Sequence, residues 1–245
     1  GFIIKEFDKL IKMGVKTIRI VDEMFLLNPK YYIPLCEQLS VRNKDDSLRM
    51  WAYSRIDTIR RPGILNLVRQ AGIKWLALGI ESGDKAIRLE VSKGKFDDVN
   101  ISQVIENVHD ADIEVMANYI FGLPSDTKET MKKTFDLSKD LCTAGWNTYA
   151  AMALPGSQLY KTAIEKQYTL PEDYAGYSFH AYNTQPLPTE FLTPEEVLEY
   201  RDQCFTDYHL YEPFLRKIEN KFGIDAVENI KTMTKVKLKR KILGD

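Results

Sequence analysis

The stretch Trp75-Leu-Ala-Leu-Gly-Ile-Glu-Ser-Gly83 decides the fold of this chain. Its apolar residues run without interruption and stop at an acid, a hydroxyl and a glycine. Such a run, bounded by turn residues, is typical of a strand that is buried on both faces of a parallel sheet. Ligands of parallel α/β sheets bind at the carboxyl ends of the strands. The sequence therefore places Glu81 and Ser82 where a ligand would be held.

Other segments of similar character predict further strands over residues 17–21, 49–55, 114–121 and 147–154. One helical pattern lies in each gap, and successive strands begin roughly 25–40 residues apart, a spacing typical of βα units. This alternation implies parallel strands joined by right-handed crossovers. A complete eight-unit barrel typically needs about 250 residues, and too few residues here have the βα pattern. We therefore predict an α/β fold, a partial (βα)6 TIM-like barrel that lacks its first strand.

The two ends of the chain differ in character from the βα part. The chain opens directly on an amphipathic helical pattern at Phe2, which predicts that a preceding strand is missing. We expect the truncated barrel to cover residues 1–165 and an irregular connection to cover residues 166–192. Residues 193–245 predict a helical extension, because Thr193, Pro194 and Glu196 form a strong helix start.

Composition and charge exclude several classes of protein. The 245 residues are 44% hydrophobic and 28% charged, which is ordinary for a globular protein, and the net charge is -1. A net charge so close to zero provides no overall electrostatic attraction to nucleic acid, so a nucleic-acid partner is not expected. No apolar run reaches the roughly 18 residues that a membrane span needs, and no signal peptide pattern is present. Three widely spaced cysteines argue against a disulfide framework and favour a cytoplasmic location.

The basic stretch over residues 235–241 has two interpretations. It could contact nucleic acid or anionic lipid. It could also be a solvated helix C-terminus, where the helix dipole favours positive charge. The second interpretation is preferred, because clustered lysines are common at the ends of surface helices.

Polar residues and turn residues lie at or near the carboxyl end of every predicted strand. They are Asp22 and Glu23; Tyr53, Ser54 and Arg55; Glu81 and Ser82; Asn118 before the turn at Gly122; and Pro155 with Gly156. In a parallel sheet these positions share one rim. Carboxylates can pair with an ammonium group or accept from ribose hydroxyls, and arginine binds a carboxylate bidentately. The rim suits a zwitterionic ligand with a ribose, although acids and glycines end strands in any α/β protein.

Five motifs together resemble those of the radical S-adenosylmethionine (radical SAM) enzymes, in particular the branch that often carries an upstream cobalamin-binding domain. The motifs cover residues 20–25, 53–57, 79–83, 121–127 and 154–160. The resemblance extends over about residues 1–165, and residues 191–245 resemble the helical extension of that branch. It implies a six-stranded partial barrel that binds S-adenosylmethionine against a [4Fe-4S] cluster.

The resemblance also implies roles for individual residues. Asp22 or Glu23 corresponds to the acid that contacts the methionyl ammonium group, and Arg55 to a position near the methionyl carboxylate. Glu81 and Ser82 correspond to the position that contacts the ribose.

Two further positions are implied on the adenine side. Asn118 lies in the strand segment that packs the adenine in the family, although the motif there is poorly kept. Pro155 corresponds to a turn beside the adenine. The resemblance identifies no catalytic side chain in this chain.

The family's cluster motif is absent from this sequence. That motif has three cysteines on one loop, separated by three and then two residues, whereas Cys36, Cys142 and Cys204 are far apart. We therefore expect these cysteines to be buried small hydrophobes and expect no metal ligand in this chain. Either the chain is a piece that begins after the cluster loop, which is the preferred explanation, or it is a degenerate, non-catalytic binding or assembly domain of the same fold.

The preferred interpretation is therefore the core of a radical SAM enzyme that is active only in its full-length form. It would generate a 5′-deoxyadenosyl radical or transfer a methyl group. Its cofactors would be S-adenosylmethionine, a cluster with ligands outside this chain, and possibly a cobalamin, also bound outside it. Its partners would be an unidentified substrate and a reductant of flavodoxin or ferredoxin type.

Overall fold

The computed structural model describes residues 1–59, 62–92 and 99–245, in which strands and helices alternate as predicted. The strands are β1 (Thr17–Arg19), β2 (Arg49–Arg55), β3 (Ile73–Glu81), β4 (Glu114–Phe121) and β5 (Gly145–Ala150). The helices of the βα part are α1 (Phe2–Lys12), α2 (Pro29–Arg42), α3 (Pro62–Gln70), α4 (Lys85–Ser92), α5 (Ile101–Asp110), α6 (Lys128–Leu141) and α7 (Gln158–Glu165). The C-terminal helices are α8 (Pro194–His209), α9 (Glu212–Phe222) and α10 (Ile224–Thr234).

The strands form one five-stranded sheet in the order β1-β2-β3-β4-β5, which is also their order in the chain. β1 pairs with β2 and β2 pairs with β3 in parallel, and Trp51 is in register with both Arg19 and Trp75. Each strand therefore lies beside its predecessor after a helical crossover, as in a βα barrel. Burial alternates along β2, where Met50 and Ala52 are buried and Trp51 and Tyr53 are half-buried.

The predicted boundaries of β5 and β1 are wrong. β5 ends at Ala150, four residues before the predicted end at Leu154. The Leu154 amide donates to the Met152 carbonyl over 3.0 Å, so the chain is already turning there. β1 ends at Arg19 instead of at Val21, which is exposed.

The start of α6 also differs from the prediction. In the sequence, Asp126 followed by Glu129 has the spacing that predicts a capping box, but Thr127 caps the helix and Thr130 is the reciprocal residue. Asp126 is buried and accepts from the Leu123 amide at 2.9 Å and from the Thr130 hydroxyl at 2.7 Å. Burial raises the pKa of this carboxyl. Asp126 therefore orders the loop before the helix, and the helix starts one residue later.

The chain divides into two compact units, residues 1–80 with 98–117 and residues 81–97 with 118–245. In the first unit, α3 packs against both α2 and α5. The buried side chains there include Leu39, Ala52, Leu65, Val68, Leu76, Ile105 and Val108. In the second unit, Trp146 stacks on Tyr208 with ring centroids 5.1 Å apart and meets Phe135 edge-on at 6.5 Å. The predicted boundaries at residues 165 and 192 stay predictions.

The basic stretch over residues 235–241 is not a helix C-terminus, as we had preferred. α10 ends at Thr234, before the stretch begins. Arg240 is fully buried, and its Nε donates to Asp202 at 2.8 Å while its Nη1 donates to the carbonyl of Phe179. The backbone at Arg240 is extended, with φ of -131° and ψ of 111°. In the part of the chain that the structure describes, no helix has the length and apolar character of a membrane span.

Candidate functional site

At the end of β1 in the first unit, Asp22 and Glu23 are both exposed. The Tyr31 hydroxyl donates to Asp22 Oδ2 over 3.0 Å. Tyr31 is itself positioned edge-on to Phe25, with ring centroids 6.2 Å apart. Partial burial and the Asp22 carboxylate raise the pKa of Tyr31, so it remains a donor at neutral pH. The predicted ammonium-binding acids therefore face solvent, and one of them is oriented by a tyrosine.

At the end of β2, Arg55 is bound to Asp57. Arg55 Nε donates to Oδ1 at 2.7 Å and Nη2 to Oδ2 at 2.5 Å, so the pair is bidentate. Asp57 is buried in the 3₁₀ turn that follows the strand, and the Arg55 side chain is 28% exposed. The Thr58 hydroxyl donates to the Arg55 carbonyl at 2.7 Å and contacts the Ser54 hydroxyl. The two bonds to Asp57 thus fix the Arg55 side chain, and the Thr58 hydroxyl fixes its backbone carbonyl.

Aromatic side chains line the half-buried face of β2 and β3 that carries Arg55. The indoles of Trp51 and Trp75 are stacked, with centroids 5.5 Å apart and an interplanar angle of 9°. Tyr53 lies 6.2 Å from Trp51, and the Arg19 guanidinium lies 5.0 Å from the Tyr53 ring. Arg55 therefore shares its strand face with an aromatic layer.

At the start of the second unit, the Glu81–Asp84 loop is tied to α6 and α4. Glu81 has φ of +69° and is half-buried, whereas Ser82 is fully buried. The Ser82 hydroxyl lies 3.0 Å from the Thr134 hydroxyl, and the Gly83 amide donates to Thr134 at 2.9 Å. Because the Ser82 side chain is buried, this geometry supports a role in shaping the loop. Its predicted contact with ribose stays a prediction.

The end of the loop forms the start of α4. The Asp84 carboxylate accepts from the Ala86 amide at 3.0 Å and pairs with Lys133 at 2.8 Å. The ion pair with Lys133 lowers the pKa of Asp84, as do the helix amides. Arg88, on the first turns of α4, donates from Nη1 to the Ser82 carbonyl at 2.7 Å.

The two residues predicted for the adenine side, Asn118 and Pro155, lie on β4 and after β5. Asn147 Nδ2 donates to the Tyr149 hydroxyl at 2.7 Å and approaches Asn118 Oδ1 at 3.4 Å. This row of neutral polar groups is half-buried, which suits hydrogen bonding to a base or a polar substrate. Pro155 is exposed in a turn with Gly156, whose φ is +87°, and Ser157 then caps α7. The predicted roles of Asn118 and Pro155 stay predictions.

The cysteines do not fit an iron–sulfur cluster. Cys36 and Cys204 are buried, and burial raises the pKa of each thiol to about 12, whereas a cluster needs thiolates. Burial also raises the pKa of Cys142. Across residues 1–59, 62–92 and 99–245, no three His, Cys, Asp or Glu side chains are grouped so that they could hold a metal ion.

Several residues around these strand ends were not predicted from the sequence. Asp57 could have been, since it stands two residues after Arg55 within the same quoted motif. Nothing in the sequence around Tyr31 indicates that its hydroxyl would bind the Asp22 carboxylate. Thr134 and Arg88 also carry none, because an isolated threonine or arginine in a helical pattern is ordinary.

A family model for the radical SAM superfamily matches residues 2–138, which is more than half of the chain. The anaerobic magnesium-protoporphyrin IX monomethyl ester cyclase of Cereibacter sphaeroides is 27% identical over 203 residues, covering 80% of this chain and 32% of that protein. The hopanoid C-2 methylase of Rhodopseudomonas palustris is 30% identical over 131 residues, covering 52% of this chain and 25% of that protein. The chain thus spans about a third or less of the length of these curated relatives.

Solved structures share the fold. The radical S-adenosylmethionine methyltransferase TsrM from Kitasatospora setae, with cobalamin and a [4Fe-4S] cluster bound, has a TM-score of 0.59 at 18% identity and covers 82% of this chain and 37% of that one. The cobalamin-dependent radical enzyme OxsB has a TM-score of 0.56 at 13% identity and covers 94% of this chain and 40% of that one. The predicted fold class, a partial TIM-like barrel, is confirmed. Together with the family match, this shows that the chain belongs to the radical SAM superfamily.

Proposed function

We propose that this chain is the S-adenosylmethionine-binding core of a radical SAM enzyme. The observation that carries the proposal is the set of charged residues at the ends of β1, β2 and β3, all within the region that matches the family model. Members of this superfamily use S-adenosylmethionine and a [4Fe-4S] cluster. In the intact protein these cofactors supply either a 5′-deoxyadenosyl radical or a methyl group for the reaction.

The roles of the strand-end residues follow from their chemistry. The exposed carboxylates of Asp22 and Glu23 bind the methionyl ammonium group. Arg55, oriented by Asp57, lies near the methionyl carboxylate. The Glu81 carboxylate accepts hydrogen bonds from the ribose hydroxyls, because a carboxylate has acceptors for two donors.

The adenine side of the site is more neutral. Asn118 offers an amide to the adenine, and the Pro155 turn lies beside the ring. No cluster ligand is assigned to this chain, because the described cysteines do not fit that role. The cluster ligands therefore belong to residues outside this sequence.

The proposal is tested by the affinity of the intact enzyme for S-adenosylmethionine. Glu81→Gln keeps the shape of the side chain and removes its charge, so we expect affinity to fall about 10- to 100-fold, as for the loss of charge-assisted hydrogen bonds. Equilibrium dialysis with labelled S-adenosylmethionine measures this. Glu165→Gln, at the exposed end of α7, is the matched control and should leave the affinity unchanged. Equal affinities for the Glu81→Gln variant and the wild type would show that the ribose assignment is wrong.

Product analysis separates the possible reactions. After anaerobic reconstitution with a chemical reductant, 5′-deoxyadenosine indicates hydrogen abstraction, and S-adenosylhomocysteine indicates methyl transfer. The similarity to both a cyclase and a methylase leaves both reactions open for this protein. If the intact protein binds S-adenosylmethionine but forms neither product, the non-catalytic binding domain is the better interpretation.

The partners follow from the same proposal. A flavodoxin or ferredoxin would supply the electron, and the reducing cytoplasm is the compartment that suits a cluster and three free cysteines. A cobalamin, as in TsrM and OxsB, would be bound by a domain outside this sequence. Cobalamin content of the purified intact protein, read from its visible absorption, tests this part separately.

A further inference from the structure

Glu81 has an unusual backbone conformation at the end of β3. Its φ of +69° lies in the left-handed region, which side chains other than glycine rarely adopt. The other described non-glycine residues with positive φ follow helices; they are Asp46, Asp112, Cys142 and Gln167. Such conformations persist only where the surrounding structure fixes them, and they are common at functional sites.

The Thr134 hydroxyl fixes the residues directly after Glu81. It donates to the Thr130 carbonyl at 3.1 Å, and a hydroxyl has only one proton to give. Thr134 must therefore accept both from the Gly83 amide and from the Ser82 hydroxyl. The Ser82 hydroxyl in turn accepts from the Asp84 amide at 3.1 Å. These hydrogen bonds tie the Ser82 side chain and the Gly83 amide to α6.

Arg88 holds the same peptide from the other side. Its Nη1 donates to the Ser82 carbonyl at 2.7 Å, and the side chain is buried. Its Nε has no hydrogen-bond partner among the described residues, and burial lowers the pKa of the guanidinium. A methionine of similar size would avoid this desolvation, so stability alone does not explain an arginine here.

The fit between the loop and α6 is also close. A Cβ atom on Gly83 would lie 2.5 Å from the Lys133 carbonyl oxygen and 2.7 Å from Thr134 Cα. Both atoms belong to the backbone of α6, which cannot move aside as a flexible side chain would. The Ser82–Gly83 peptide, which follows Glu81, is therefore fixed by close packing as well as by hydrogen bonds.

We propose that Thr134 and Arg88 are positioning residues, which fix the Ser82 peptide and thereby hold Glu81 in the conformation that binds the ribose of S-adenosylmethionine. The inference rests on the proposed function. It assigns no chemistry to either residue, since both act through Glu81.

A double-mutant cycle in the intact enzyme tests this coupling. The dissociation constant of S-adenosylmethionine is measured for wild type, Glu81→Ala, Thr134→Val and the double variant. We expect Thr134→Val to weaken binding about tenfold in the wild type and less than about twofold in the Glu81→Ala background, because coupled residues are not additive. Thr134→Ser keeps the hydroxyl and should restore the wild-type affinity.

The controls separate positioning from a general loss of structure. Thr143→Val removes an equally buried hydroxyl, which donates to the Gly145 carbonyl at 2.8 Å, and should leave the affinity unchanged. Arg88→Met should weaken binding several-fold without lowering the thermal midpoint, and Arg88→Lys should recover the affinity. If Thr134→Val does not fold, the comparison of Arg88→Met with Arg88→Lys tests the positioning role instead.

Each outcome has a definite meaning. Equal losses for Thr134→Val in both backgrounds, or an equal loss for Thr143→Val, would overturn the inference while leaving the proposed function intact. Loss of affinity in Glu81→Ala with none in Thr134→Val or Arg88→Met would do the same. If the wild type does not bind S-adenosylmethionine, the proposed function fails, and this inference fails with it.

Discussion

The ends of β2 and β3 both carry a residue assigned to the cofactor, but they are built in different ways. The end of β2 is fixed by Arg55, Asp57 and Thr58, which lie within four positions of one another. The end of β3 is fixed by Thr134, more than fifty positions along the chain from Glu81. A local turn forms as soon as its own residues meet, whereas the β3 loop needs α6 in place.

The comparison teaches where each strand end is vulnerable. Substitutions at the β2 end remove single contacts, and the remaining local contacts still define the turn. Substitutions at the β3 end disturb the close contact between the loop after β3 and α6. Several hydrogen bonds there form only when the loop lies against this helix. The predictions below test this difference, beginning with the largest expected effect.

Gly83→Ala should produce the largest loss of stability. The added methyl group would overlap backbone atoms of Lys133 and Thr134, which cannot move aside as a flexible side chain would, so the loss should be about 3 kcal/mol or more, at the upper end of overpacking costs. Urea denaturation measures the free energy of unfolding. Gly63→Ala, in α3, is the matched control, because a Cβ there meets no atom within 4 Å. We expect that control to be neutral or slightly stabilising. Similar losses in both variants would contradict the proposed close fit.

Asp57→Asn should lower stability by about 1.5–3 kcal/mol, since it weakens charge-assisted hydrogen bonds of a buried carboxylate with Arg55. Urea denaturation again gives the comparison. The control is Asp8→Asn, whose partner Arg42 makes the same kind of bidentate pair with an exposed carboxylate. Solvent screens that pair, so its loss should be barely measurable. A larger effect at Asp8 would show that the buried pair is not the stronger one.

Thr58→Val should cost about 1–2 kcal/mol, because it removes two hydrogen bonds that are each worth about 1 kcal/mol. The variant loses the bond to the Arg55 carbonyl and the contact with Ser54 but keeps the Arg55–Asp57 pair. Thr58→Ser keeps the hydroxyl and is the control. We expect thermal unfolding to show a smaller loss than in Thr134→Val, where three bonds disappear together. If Thr58→Val lost more stability than Thr134→Val, the proposed difference between the locally fixed end of β2 and the end of β3 fixed by α6 would be wrong.

Asp84→Asn should have the smallest effect, about 0.5–1 kcal/mol at neutral pH, because its partner Lys133 is 62% exposed and screened by water. Asparagine still caps α4, so the substitution reports mainly on the charge. The folded state lowers the pKa of Asp84, so the ionised carboxylate stabilises the protein above the unfolded pKa. That contribution is lost as the pH falls through the lowered folded pKa.

The difference between wild type and Asp84→Asn should therefore be constant from about pH 7 to pH 5 and shrink below about pH 4, near the unfolded pKa of an aspartate. Urea midpoints measured across this range test the sign. A difference that grows toward acid pH would show that the carboxylate is not stabilised by the fold.

Periodicity predicted most of the fold because strands and helices are encoded by local patterns. β2 and β4 have the predicted bounds, and the cap of α8 by Thr193 is confirmed. The error at the basic stretch occurred where a distant contact decides the local structure. The basic stretch was predicted as a helix end, but Arg240 is anchored to Asp202 by 2.8 Å and 3.0 Å bonds that no local pattern reveals.

The sequence by itself determined the alternating βα fold, the resemblance to radical SAM enzymes and the strand ends at which a cofactor would bind. It could do so because apolar periodicity, glycine turns and short motifs act over a few residues. Only the tertiary structure decided that Ser82 is buried and that Thr134 and Arg88 hold the Ser82–Gly83 peptide that follows Glu81. These facts depend on chain segments that meet only when the protein has folded. The left-handed conformation of Glu81 is therefore a property of the packed loop, even though its position at a strand end is visible in the sequence.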